Sequence, residues 1–288
     1  GTVADMGPYP YLNSYSGPTW YVETEGNDTT GTGASDSPFA SIQSAVNFAT
    51  TDGDSVTVAA GTYVENITFW GRNIVVAGAD IETTIIDGNQ ADVVFDIWGS
   101  TAATLKDMTI QNGAGYWGGG IVCVGATVAL KDLKITSNTA WGGAGVYGLD
   151  ANLTLDNVTI QGNHSNNNAG GLLAGQGNAD ISINISITNS IIESNSADNA
   201  IGGVYLYGQD SDSLTVTISN SVFRSNSSSY FAGLAIYTGT FLVEDCVFEL
   251  NQATNGFAAA GGFSINTTGT VSRTRIVNNT ATNEVGGF

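Results

Sequence analysis

All three lysines of the chain, Lys106, Lys131 and Lys134, fall in one short stretch beside Asp107 and Asp132. A cationic spot on an otherwise acidic molecule suits two chemistries: it can hold the carboxylate of an acidic sugar, or supply an amine base to a lyase. Solvated lysines paired with neighbouring aspartates are the plainer reading of the same residues. Tyr116-Trp117 and Trp141 form a second candidate group, each placed just before a glycine pair, with Tyr230-Phe231 in a similar place further along. Rings stacked at such corners would make a flat apolar platform of the kind sugars use, unless they fold back onto a loop. Asp210 and Asp212, in Gly208-Gln209-Asp210-Ser211-Asp212, could give oxygen ligands to calcium, as could Asp52 and Asp54. A full calcium site needs about six to eight ligands, so these pairs are weak candidates, and no other cofactor is expected. Nucleophilic schemes need a partnered base, and the one histidine, His164, lies in the polar run Gly162-Asn163-His164-Ser165-Asn166 and reads as a solvated loop residue.

Charge narrows the function classes. Seven Lys and Arg stand against 26 Asp and Glu in 288 residues, for a net charge of −19. Phosphate neutralisation needs a basic surface, so nucleic acid is excluded as a partner. Apolar residues make up 42% of the chain, too many for disorder, and the chain must bury a core. Cys123 and Cys246 are too few for a disulfide scaffold and read as unpaired core residues, about 20 Å apart by coil spacing. No apolar run reaches the roughly 18 residues of a membrane span. An acidic, lysine-poor, thiol-poor chain fits a secreted or cell-surface location.

The elements that must position these residues are repetitive. One motif reads apolar, polar, Asp/Asn, small or apolar, variable, apolar, two variable residues and Asn. It recurs at Leu130 to Asn138, Leu155 to Asn163, Ile187 to Asn195, Ile218 to Asn226 and Val243 to Asn251, with looser copies from Leu105 and ending at Asn279. The terminal asparagines recur at intervals of 25, 32, 31, 25 and 28 residues, which suggests a solenoid with turns of variable length. Between copies comes a small-residue pair followed by an apolar strand, from Gly119-Gly120-Ile121 to Gly286-Gly287-Phe288. The alternation is period 2, with Val158 and Ile160 inward around Thr159, and the runs between corners are too short for helices. The recurring asparagines would stack as an internal ladder that satisfies corner backbone groups.

The first hundred residues differ. Ser37-Pro38 followed by Phe39, Ile42, Val46 and Ala49 predicts an amphipathic helix closed by Asp52-Gly53 and suited to cover one end of the solenoid. The expected division is 1–54 as N-terminal extension and capping helix, and 55–288 as coils. The chain stops inside a seventh small-residue pair, so the coils read as truncated at the C-terminus. An uncapped coil end would be a sheet edge open to end-to-end self-association.

The segment from Trp20 through Val46 to Gly61-Thr62-Tyr63-Val64-Glu65-Asn66-Ile67 resembles the N-terminal part of secreted right-handed parallel β-helix proteins of the pectin-lyase-like superfamily. The glycine pairs and terminal asparagines resemble polymorphic outer-membrane protein repeats of bacterial surface proteins. The resemblance implies an all-β fold, a single-stranded right-handed parallel β-helix or solenoid with an N-terminal capping helix. It does not fix a function, since this fold carries lyases, hydrolases, adhesins and stalks. Hydrolases of the superfamily would be expected to cluster aspartates beside a Gly-His-Gly-like turn, and its calcium-dependent lyases to bring carboxylates around an arginine base. His164 and the four arginines, Arg72, Arg224, Arg273 and Arg275, depart from both patterns.

Aligning the repeats places Thr109, Lys134, Thr159, Ile191, Val222, Val247 and Arg275 in one outward row and Gln111, Thr136, Gln161, Glu193, Arg224, Glu249 and Val277 in another. Neither row offers the facing carboxylates that glycoside hydrolysis requires. Glu193, Arg224 and Glu249 read instead as a surface ion ladder. The sequence therefore predicts an adhesin-like β-helix that binds a polysaccharide or a cell-surface partner without catalysis, through Tyr116, Trp117, Trp141, Lys131 and Lys134. The competing expectation is a lyase- or hydrolase-like enzyme on acidic polysaccharide, with Lys106, Lys131 and Lys134 as its catalytic group.

Overall fold

A computed structural model describes residues 14–100, 102–210, 212–256, 258–263 and 266–282. These residues form an all-β parallel solenoid whose strands lie in three sheets along one axis. The first sheet has 16 strands, the second eight and the third seven, and every pairing between consecutive coils is parallel. The second sheet, from Ile67–Trp70 to Gly261–Phe263, counts eight coils.

Inward residues repeat from coil to coil. Leu105, Leu130, Leu155, Ile187, Ile218 and Val243 make one fully buried row, and Phe223 stacks on Phe248 with centroids 4.6 Å apart in another. Such rows follow from the pleat, which sends alternate side chains of every strand into the tube. The expected alternation at Val158, Thr159 and Ile160 is present, and Cys123 and Cys246 are free and buried four coils apart. Burial pushes the Cys123 thiol far up, so it stays protonated. The glycine pairs are steric necessities: a Cβ on Gly120 would lie 2.6 Å from the Gly145 carbonyl oxygen, and one on Gly203 would lie 2.2 Å from that of Gly233.

From Ala103 onward, two one-residue corners break the long edge of each coil. The Asp/Asn of the repeat occupies the first in the left-handed conformation, with φ of 60° at Asp107, 49° at Asp132, 55° at Asn157 and 54° at Asp245. Asn and Asp tolerate that region better than other non-glycine residues. After the second corner come the repeat asparagines, buried at Asn138, Asn163, Asn195, Asn226 and Asn251. Each Nδ2 donates to Oδ1 of the asparagine one coil on, at 2.9–3.1 Å, and Asn279 receives the last of these bonds.

The helix runs Ile42–Phe48, shorter than the predicted one. Pro38 and Phe39 are not in it, because Phe39 bridges to Val22 and its amide donates to the Tyr21 carbonyl. Ser41 is the N-cap, its hydroxyl accepting from Ser44 N, and the last turn closes at Ala49 rather than at Asp52-Gly53. Ile42, Ala45 and Val46 are buried on the apolar face. Gln43 reaches over the edge of the second sheet: its Oε1 accepts from Thr68 N at 2.8 Å and its Nε2 donates to Thr68 O at 3.3 Å, closing the ladder where, among the described residues, no strand precedes. Thr19–Val22, within the segment assigned to extension and cap, pairs with Ser55–Val58 as the first strand of the largest sheet. The predicted pair Gly286-Gly287 and Phe288 lie outside the described residues, as do residues 1–13.

Candidate functional site

The aromatic candidates meet at the entry to the third sheet. Ala114–Trp117 pairs with Thr139–Gly142 in register, with a bulge between Ala140 and Gly142 where the latter strand meets His164–Asn168. Outward alternation brings Tyr116 onto Trp141, with centroids 5.3 Å apart and planes within 4°. Trp117 turns the corner, meeting Trp141 edge-on at 4.8 Å and stacking on Tyr147 of the second sheet at 5.0 Å. Tyr147 is buried, which together with nearby Tyr207 and Asp150 pushes its phenol up to about 12. Trp117 therefore anchors the cluster, whereas Tyr116, 65% exposed, presents its ring to solvent. A cleft of about 590 Å³ opens here, lined by Asp92, Thr139 and Asn166 as well as Tyr116 and Trp141. Aromatic surface with a few convergent polar groups is the usual make-up of a ligand cleft. Tyr230, at the similar place further along, does not line it.

His164 begins a strand rather than lying in a loop, and sequence reasoning missed its partners. Its Nδ1 lies 2.9 Å from Ser196 Oγ, one coil on, and its Nε2 lies 3.7 Å from Asp198 Oδ1. The order serine, histidine, carboxylate invites comparison with an activated nucleophile. However, the Asp198 contact is too long for a hydrogen bond, and the amides of Ser196 and Asp198 already donate to the carbonyls of Asn163 and Ser165. Those two donors are thus spent within the ladder and cannot hold an oxyanion.

The lysines are only partly brought together. Lys106 and Lys131 are register neighbours, and Lys134 lies on the far limb of the strand, beyond the corner at Asp132. Lys106 pairs with Asp107 at 3.1 Å. Lys131 faces Asp156, whose carboxyl is held below the usual range by hydrogen bonds from Asn189 and Thr188 and, less, by this lysine. Asp107 and Asp132 occupy successive corners, a carboxylate pair that the outward rows did not reveal, and Asp132 is bound by Asn157 at 2.6 Å. The expected ladder forms only in part: Arg224 Nε lies 2.6 Å from Glu193, but Glu249 pairs with Arg275 at 2.8 Å rather than with Arg224, leaving two separate ion pairs.

Asp210 Oδ1 accepts from Asp212 N, which closes a turn and directs the carboxylate to its own backbone. Among the described residues no group of three or more His, Cys, Asp or Glu side chains is placed to hold a metal. A second cleft, about 240 Å³, lies at the start of the helix. Its carboxylates are spent on amides, Asp28 on Ala40 and Ser41 and Glu65 on Ile42 and Gln43.

Comparison with known proteins bears on the fold. A family model described as a right-handed β-helix region matches residues 93–288. A pectin methylesterase from carrot is similar in structure, with a TM-score of 0.57, 13% identity, and 91% of this chain and 84% of that one covered. A rhamnogalacturonan lyase aligns with a TM-score of 0.40 and 15% identity, over 83% of this chain and 75% of that one. A lacto-N-biosidase from Eubacterium ramulus aligns with a TM-score of 0.34 and 9% identity, over 90% and 68%. At 13% identity, the likeness to the carrot protein is one of fold. No curated protein matches the sequence.

Proposed function

The chain belongs to the right-handed β-helix family, and from that premise we propose that it is an adhesin-like glycan-binding solenoid, acting outside the cell or at its surface, that holds a sugar at the aromatic corner without cleaving it. The observation that carries this reading is the stacked pair Tyr116 and Trp141 at the wall of a cleft with Asp92, Thr139 and Asn166. Sugar rings have apolar faces and polar rims, which suits a flat aromatic surface edged by a few hydrogen-bonding groups. The acidic, lysine-poor composition supports the location, and among the described residues no helix is long and apolar enough to cross a membrane.

Cleavage of acidic polysaccharide by the lysines has less support. Lys106 is ion-paired and Lys134 is separated from the other two by a corner, so no single amine is set apart as a base. Lys131 remains a candidate contact for an acidic sugar on the largest sheet, apart from the cleft.

Titration of tryptophan fluorescence with neutral and acidic oligosaccharides tests the reading. Tyr116→Ala and Trp141→Ala are each expected to weaken binding about tenfold, roughly 1.4 kcal/mol, with little change in unfolding temperature. Wild-type affinity in both variants would overturn it.

A further inference from the structure

We propose that Trp70, Asp96 and Trp98, on the outer face of the second sheet, form a separate binding site for an ammonium-bearing sugar chain, an oligomer of 2-amino-2-deoxyhexose with free amines. Strands Ile67–Trp70 and Phe95–Trp98 pair in register, placing Thr68 beside Asp96 and Trp70 beside Trp98. The pleat sends Ile67, Phe69, Phe95 and Ile97 into the core and the other four residues outward. Trp70 is 76% exposed and Trp98 51%. Two indoles left in water side by side mark a surface with a partner.

The surroundings of the rings are bare. Each is followed by a left-handed corner, Gly71 (φ 65°) and Gly99 (φ 64°), and Gly125 (φ 56°) repeats it one coil on. A Cβ on Gly99 or Gly125 would meet nothing within 4 Å, and one on Gly71 only the Gly99 carbonyl oxygen at 4.0 Å. The next coil puts Asp150 at the same corner with φ 51°, so the backbone accepts a side chain there. The glycines thus leave an open shelf beside the two tryptophans.

Asp96 supplies the charge. Its Oδ1 accepts a hydrogen bond from the Trp98 indole N–H, which fixes the plane of that ring. Burial raises its carboxyl above the usual range against that bond, and the nearby Asp92 adds to the rise. Among the described residues no cationic side chain pairs with it. Arg72, two residues past Trp70, is turned away and donates to the Asn47 carbonyl at 3.3 Å. A carboxylate lacking a cation, beside exposed indole faces, on a chain of net charge −19, complements an organic ammonium group and repels a polyuronate.

The backbones that carry the two rings stand one strand spacing apart along the axis, about 4.8 Å, so an extended chain lying along the solenoid passes one indole and then the other. Choosing an amino sugar over other ammonium compounds rests on the glycan-binding reading above; the ammonium site itself does not.

Calorimetric titration with a glucosamine hexamer and with its fully N-acetylated form tests the proposal, in wild type, Trp70→Ala, Asp96→Asn and a Tyr116→Ala, Trp141→Ala double variant. The free-amine hexamer is expected to bind wild type at least about tenfold more tightly than the acetylated one, and Asp96→Asn and Trp70→Ala to lose most of that preference. Asp96→Asn changes the net charge by one in nineteen, so attraction to the whole acidic surface would survive it, whereas this site would not. Equal binding of both hexamers, unchanged binding in Asp96→Asn and Trp70→Ala, or choline competing as well as the hexamer would overturn the proposal. If only the double variant loses hexamer binding, this site falls and the aromatic cleft stands. If only the Trp70 and Asp96 variants lose it and no neutral glycan binds, the cleft reading falls and this site stands.

Discussion

Asn195 carries the chemistry of the fold in one side chain. Its Oδ1 accepts from the backbone and side-chain nitrogens of Asn163, and its Nδ2 donates to Asn226 Oδ1 and Ile160 O. Asn195→Ala would leave the Asn163 amide buried and unpaired, at about 1–3 kcal/mol, and would strip one further bond each from Asn163 Nδ2, Asn226 Oδ1 and Ile160 O in the middle of the ladder. A loss of at least about 3 kcal/mol in urea unfolding is expected, against under about 1 kcal/mol for breaking the half-exposed Arg224–Glu193 pair. Equal losses would show that the ladder is incidental. The ladder was legible in the sequence because one polar residue recurred at a fixed place after an apolar strand. His164 was not, since its partner Ser196 lies 32 residues away and only the coil length brings them together. Trp70 and Trp98 also went unremarked: they sit in the irregular first coils, where no repeat marks their shared register.

Corners decide the elements. The corner before each ladder asparagine is left-handed, filled by Ser137, Gly162, Ser194, Ser225 and Asn278, but in one coil by Leu250 at φ 57°. A leucine strained there and 55% exposed gains little from packing. Leu250→Asn is expected to raise stability by about 0.5–1 kcal/mol, read as a higher urea midpoint; a lower one would mean the leucine packs against an unseen surface. The Asp/Asn of the repeat was visible in the sequence, yet its conformation was not, because those residues serve many kinds of turn. The helix was misplaced by four residues for a related reason: Pro38 is a fair first helical residue, but the strand claims Phe39. Glu65 secures that helix, and burial pushes its carboxyl above the usual range, against the pull of the Gln43 and Ile42 amides and with a further rise from Asp28. The native state thus holds this proton more tightly than the unfolded chain. Its contribution is full below the unfolded value and is lost as pH rises through the folded one. The stability of wild type relative to Glu65→Gln should therefore fall as pH rises above the ordinary carboxylate range; a rise would reverse the assignment.

At the scale of the molecule, the solenoid turns short motifs into continuous surfaces. Coil spacing aligns Tyr116 with Trp141 and carries Trp117 round to Tyr147, so residues of separate repeats share one corner. Repeat length and the glycine pairs announced this architecture. The binding surface was only half visible, since the tyrosine and tryptophans were evident but the bulge after Ala140 and the cleft beside them depend on packing. The central claim is binding without cleavage, and affinity electrophoresis against neutral, acidic and amino polysaccharides, with new reducing ends monitored throughout, tests it most directly. The account predicts retardation in at least one neutral or acidic gel, lost in the Tyr116→Ala, Trp141→Ala double variant, with no new reducing ends. Cleavage of any polysaccharide, abolished by a single substitution at Lys131, Lys134 or His164, would contradict it.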